Sequence, residues 1–105
     1  MNTQESEKGS TIYSTVGGIM TDEVGTVTGN LEIVTRVAAE RLDASVRYAG
    51  ADEWYTITGS PVSLGAANYY TPADLHERVV SYLTKPGPVV DGNEEPVSLE
   101  GISLT

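Results

Sequence analysis

The sequence has no cysteine and only one histidine, His76, among its 105 residues. The absence of cysteine excludes disulfides, thiolate zinc sites and cysteine nucleophiles. A single histidine excludes a two-histidine metal site and a histidine-based relay within one chain. Neither a GxSxG nucleophile elbow nor a glycine-rich phosphate loop occurs. We therefore expect no self-contained enzyme, no catalytic residue, no metal site and no cofactor, and we expect His76 to be a partly buried structural imidazole.

Long hydrophobic runs are also missing from the chain. No apolar stretch approaches the ~18 residues that a membrane helix needs. The first ten residues, MNTQESEKGS, are polar and acidic, and they lack the basic start and apolar segment of a secretory signal. These features predict a soluble cytoplasmic protein with no membrane partner, in the host cytoplasm or in a virion if a phage encodes it.

Positive charge is scarce, with six basic residues against fifteen acidic ones and a net charge of −9. Residues 1–30 carry four acids and one base, residues 31–85 carry seven acids and five bases, and residues 86–105 carry four acids and no base. An acidic chain repels phosphate backbones, so we expect no direct binding of nucleic acid. The same charge raises the alternative of an acidic protein that mimics nucleic acid, although the acids concentrate in the two ends.

Residues 30–85 carry the strongest structural signals, and we expect them to form a compact domain. Asn30 is a good N-cap, and apolar residues at helical spacing follow it, which predicts a first helix over residues 30–42. A second helix that ends before Pro86 is predicted by Thr71 as N-cap, Pro72 at the first helical position and Asp74 two residues later. The predicted core of this domain consists of Leu31, Val34, Val37, Ala38, Leu42, Val46, Tyr48, Tyr55, Ile57, Leu75, Val79, Tyr82 and Leu83.

Two β-rich runs, ASVRYAG and EWYTITG, lie between the predicted helices and indicate a hairpin. Burial of the aliphatic side chains places Val46 opposite Ile57 and Tyr48 opposite Tyr55. The other face then carries Trp54, the only tryptophan, opposite Ala49, with Arg47 opposite Thr56. A third strand or an arm that covers Trp54 is the usual outcome for this residue type, and an exposed contact residue is the alternative.

The predicted fold is α+β: a small two-layer domain of order α-β-β-(β)-α, with two helices packed on one face of a short antiparallel sheet. Extended arms flank this domain. Residues 1–29 are rich in glycine and threonine, with weak strand signals. Residues 86–105 form an acidic tail with several prolines and glycines, but its end alternates polar and apolar residues. That alternation predicts a strand that pairs with a sheet edge of the same chain or of a neighbour.

A compact centre with extended arms predicts a non-enzymatic protein–protein interaction or assembly component, such as a small structural or accessory protein of a phage or larger particle. Its partner would be another protein or a second copy that pairs through the arms. The competing hypothesis is an acidic nucleic-acid-mimicking inhibitor of a host enzyme. Tryptophan and arginine are enriched at interface hot spots. The predicted partner-binding residues are Arg47, Trp54, Thr56 and Thr58 on the outer sheet face and Val97, Leu99, Ile102 and Leu104 in the tail.

Overall fold

A computed structural model describes residues 6–38, 40–65, 70–84, 89–90, 93–94, 96–100 and 102. The elements in chain order are β1 (Ser6–Thr21), β2 (Gly25–Ala38), β3 (Arg41–Tyr48), β4 (Tyr55–Thr56), β5 (Val62–Ser63), α1 (Pro72–Thr84), β6 (Val89–Val90) and β7 (Asn93–Glu94). Strands β1 to β4 are adjacent in chain order in one antiparallel sheet, and β5 also pairs with β3. The fold is therefore α+β, mostly antiparallel sheet, with one helix among the described residues.

The predicted first helix over residues 30–42 is wrong, because this segment forms most of β2 and the start of β3. Leu31, Ile33 and Thr35 are buried on one face, while Val34 and Arg36 point to the other face. The β-branched run in this segment favours a strand, and β2 gains a hydrogen-bonded neighbour on both sides. The two-helix order α-β-β-(β)-α is consequently wrong as well.

The predicted hairpin exists, but its register differs from the expected one by two residues. Val46 lies opposite Tyr55 instead of Ile57, and Ile57 donates its backbone N–H to the carbonyl of Ala44. Because side chains alternate with a period of two, an even shift leaves every side chain on its expected face. The shift does change the neighbours on the outer face, and it brings Trp54 beside Arg47 instead of Ala49.

The sheet curls so that the far end of the β1–β2 hairpin meets β4. The pairing of β1 with β2 changes register between Ser14 and Ile19, where Gly18 has a φ of +75°. Beyond this bend, Met20 accepts a hydrogen bond from the backbone N–H of Thr58. A Cβ atom on Gly18 would lie 2.5 Å from Cγ2 of Thr26, so the bend requires glycine.

Helix α1 packs its apolar stripe against the inner face of the sheet, and the predicted second helix is confirmed. The backbone N–H of Asp74 donates to Oγ1 of Thr71, which acts as the expected N-cap. Three predicted core residues lie outside the core, because Val34 and Ala38 are on the outer face and Tyr48 is 42% exposed at the end of β3. Val37, Tyr55 and Tyr82 are partly buried and pack against the core. The buried apolar core consists of Ile19, Val27, Leu31, Ile33, Leu42, Ala44, Val46, Ile57, Leu64, Leu75, Val79, Leu83 and Leu99.

The described part of the tail docks on its own chain. Val97 pairs with Ile19 in parallel orientation and exchanges backbone hydrogen bonds with Gly18 and Met20. Leu99 donates its backbone N–H to the carbonyl of Thr58, and its side chain is buried. Segments from both predicted arms therefore contribute side chains to the same core as residues 30–85.

Candidate protein-binding surface on the outer sheet face

We define the outer face as the side of the sheet opposite α1. Side chains alternate along each strand, so every second residue of β1 to β4 reaches this face. The described residues provide no second layer over it, and Tyr13 and Trp54 keep 65% and 41% of their surfaces exposed. Its principal residues are Glu7, Gly9, Thr11 and Tyr13 of β1, Glu32, Val34 and Arg36 of β2, Arg41, Asp43, Ser45 and Arg47 of β3, and Trp54 and Thr56 at β4.

Glu7, Arg36 and Asp43 form a charged row across three strands, which we call the Arg36 row. Arg36 lies directly opposite Glu7 on one side and Asp43 on the other. Nη2 of Arg36 donates to Oε2 of Glu7 over 2.6 Å. Asp43 is also 3.8 Å from Nε of Arg41. Exposed ion pairs contribute little to stability, so the main effect of the row is to orient its side chains.

Glu32, Arg47 and Trp54 form a second row, the Arg47 row. Arg47 donates to Oε1 of Glu32 through Nε at 2.8 Å, and its Nη2 lies 2.7 Å from the same oxygen. The Arg47 guanidinium lies over the indole ring of Trp54, 4.5 Å from its centroid. The cation–π contact and the ion pair together hold Trp54 in a fixed orientation while much of its surface stays exposed. This arrangement keeps the entropic cost of binding low.

A trough separates the two rows, and its floor is formed by Gly9, Val34 and Ser45. A cavity of about 410 Å³ in this trough is lined by Glu7, Val34, Arg36, Asp43, Ser45 and Trp54. A smaller cavity of about 200 Å³ adjoins it through Val34 and reaches Gly9, Thr11 and Glu32. Trp54 lines the larger cavity, and Arg47, which contacts the indole ring, does not.

Of the two predicted threonines, Thr56 lies on this surface and Thr58 lies next to it, and both interact with the β1–β2 turn. Thr56 donates its backbone N–H and its hydroxyl to the carboxylate of Glu23, at 2.7 and 2.8 Å. These hydrogen bonds from Thr56 lower the pKa of Glu23 because they stabilise its ionised form. Thr58 donates its hydroxyl to Oδ1 of Asp22 at 2.9 Å. The two hydroxyls thus connect the turn to β4 and to the residues that follow it.

The predicted tail residues lie apart from the outer face. Val97 pairs with β1, and Leu99 fills part of the core, so in this conformation Leu99 is not available to a partner. Ile102 packs against the core and lines a groove of about 540 Å³ along α1, together with Tyr70 and Arg78. Leu104 lies outside the described residues. The structure therefore brings Arg47 and Trp54 together and separates them from the tail.

His76 is buried between α1 and the sheet. Its Nε2 is 2.7 Å from Oγ of Ser10 on β1, and its Nδ1 is 2.8 Å from Oγ1 of Thr35 on β2. Burial lowers the pKa of the imidazole, with a smaller lowering from Lys8 and an opposing effect of Glu77. The neutral imidazole thus links the helix to two strands.

The sequence-based prediction missed six charged or aromatic residues of the outer face: Glu7, Tyr13, Glu32, Arg36, Arg41 and Asp43. The signal for those in β2 was the alternation of Glu32, Val34 and Arg36 with buried residues, which the helical interpretation of this segment obscured. Glu7 and Tyr13 belong to a segment predicted as an arm, and their position depends on pairing with β2.

Two further features of the described part of the chain concern metal binding and membranes. Its acidic residues and histidine include no group of three that could hold a metal ion. No helix in the same residues is long and apolar enough to cross a membrane. In comparisons with known proteins, no family model matches this chain, and no curated protein or solved structure shows significant similarity to it.

Proposed function

We propose that this chain is a non-enzymatic protein–protein interaction component that binds its partner through the outer sheet face. The observation that carries this proposal is Trp54, which is 41% exposed and is held in place by Arg47 and Glu32. A large aromatic side chain with little freedom to lose is well suited to anchor an interface. A role as a structural or accessory component of a larger assembly, such as a phage particle, is consistent with this mode of action.

The composition of the outer face supports the same proposal. Three of the four arginines of the chain lie there, with Trp54 and Tyr13, and these residue types are enriched at binding hot spots. Three acids, Glu7, Glu32 and Asp43, balance the three arginines, so this face is neutral within a chain of net charge −9. A neutral aromatic face is a better docking surface than the acidic remainder of the molecule.

Photo-crosslinking can test where a partner binds. A photoreactive amino acid is placed at Ser45 on the outer face or, as a control, at exposed Ser81 on α1. Each protein is irradiated in a lysate of the source cells, with and without Trp54→Ala. Tyr48→Ala is the matched control, because Tyr48 is 42% exposed but belongs to the inner face. We expect one partner to crosslink from Ser45 only, to be lost with Trp54→Ala and to persist with Tyr48→Ala.

The proposal is contradicted if crosslinks from both positions are equal, or if Trp54→Ala captures the same partner in the same amount. Raising the salt concentration separates the competing hypothesis. A charge mimic should lose affinity steeply with salt, whereas docking on a neutral aromatic face should change little. Light scattering then shows whether the partner is a second copy of the chain.

A further inference from the structure

We propose that the cavity beside Trp54 binds a lysine or arginine side chain of the partner protein. This inference rests on the proposed function, because it names the chemistry that the outer face recognises. The cavity of about 410 Å³ lies in the trough between the Arg36 row and the Arg47 row. Its walls combine an aromatic ring with carboxylates, which are the two groups that bind organic cations in proteins.

The aromatic wall is one side of the Trp54 indole. The Arg47 guanidinium lies over this ring, 4.5 Å from its centroid, and does not line the cavity. Trp54 also lines the cavity, and 41% of its surface is exposed. A lysine or arginine from a partner can therefore stack there, and tryptophan is the aromatic side chain that attracts cations most strongly.

The charged wall favours a cation over an anion. Glu7 and Asp43 flank Arg36, so the cavity lining carries two carboxylates against one guanidinium. Both acidic side chains remain partly exposed, and Oδ2 of Asp43 lies 3.8 Å from Nε of Arg41, which is a loose ion pair. An incoming cation can approach Asp43 more closely than Arg41 does, whereas an incoming carboxylate would meet a lining with more acidic than basic groups in a chain of net charge −9.

Short peptides can probe the cavity without knowledge of the partner. The probes are acetyl-Gly-Arg-Gly-amide, its lysine analogue and its citrulline analogue, which has almost the same shape as arginine but no charge. Each is titrated into the full chain at millimolar concentrations. The signals followed are the indole N–H of Trp54 and the backbone amides of Asp43 and Ser45 in proton–nitrogen NMR spectra. We expect the arginine and lysine peptides to shift these signals and the citrulline peptide to leave them nearly unchanged.

Asp43→Asn should weaken binding of the arginine peptide about fivefold, the effect of one partly exposed charge pair. The control is Glu100→Gln, which makes the same change in net charge at an exposed site in the tail. Equal binding of arginine and citrulline peptides, or equal affinity losses in the two variants, would overturn the cation site. If the crosslinked partner still depends on Trp54 in that case, the docking function stands and only the assignment of its ligand fails.

Discussion

Lowering the pH through 6 should weaken the fold through one residue, His76. Its imidazole is buried between Ser10 and Thr35, and burial lowers its pKa from the ordinary value of ~6.5. The Ser10 hydroxyl can accept a hydrogen bond from Nε2, and the Thr35 hydroxyl can accept one from Nδ1. The cost of protonation therefore comes from the burial of charge, to which Lys8 adds repulsion and which Glu77 partly offsets.

The sign of the effect follows from proton binding in the two states. Below pH ~6.5 the unfolded chain binds a proton at His76 and the folded chain does not, so stability falls as the pH falls towards the lowered pKa of the folded state. The loss at pH 5.5 is at most about 1.4 kcal/mol, the limit for an imidazole that stays neutral in the fold. For a domain of this size, such a loss lowers the melting temperature by about 6–10 °C.

The measurement is thermal unfolding between pH 7.5 and 5.5 for the natural chain and for His76→Gln, which places a non-titrating amide at the same position. Carboxylates titrate in both proteins, so the difference between the two curves isolates the imidazole. We expect the natural chain to lose stability more steeply, whatever the absolute stability of the variant. Parallel curves, or an NMR titration that shows an ordinary pKa for His76, would refute this account.

Two further substitutions test the bend in β1 and the docked tail. Gly18→Ala should lower the free energy of unfolding by more than ~2 kcal/mol, because the new Cβ would lie 2.5 Å from Cγ2 of Thr26. Gly25→Ala should lower it by only ~1 kcal/mol, because Gly25 has a similar φ of +78° but faces open space. Similar denaturation midpoints for these two variants would show that close packing at the bend is not the reason for glycine. Leu99→Ala should lower the free energy of unfolding by ~2–4 kcal/mol, whereas Val24→Ala at the exposed turn should lower it by less than ~0.5 kcal/mol. An unchanged midpoint for Leu99→Ala would mean that the tail does not complete the core.

Local sequence signals were sufficient to predict α1 but not to predict β2. The cap at Thr71, the proline that follows it and the apolar stripe all lie within one short segment, and a helix makes its hydrogen bonds within that segment. In residues 30–42 the apolar positions fit a helical stripe as well as an alternating strand. The partners that decide between them are β1 and β3, and a strand gains its hydrogen bonds only from such neighbours.

For the candidate surface, too, some features follow from the sequence and others follow only from the tertiary structure. The sequence determined by itself that Arg47 and Trp54 share the outer face. Side chains alternate along a strand, and a register shift of two residues leaves each side chain on the same side of the sheet. Only the tertiary structure decided that Glu7 and Asp43 join Trp54 around one cavity, because these residues come from β1, β3 and the segment before β4 and meet only through the pairing of the whole sheet. It also decided that Leu99 lies in the core and not at an interface, because the curl of β1 at Gly18 creates the place where the tail docks.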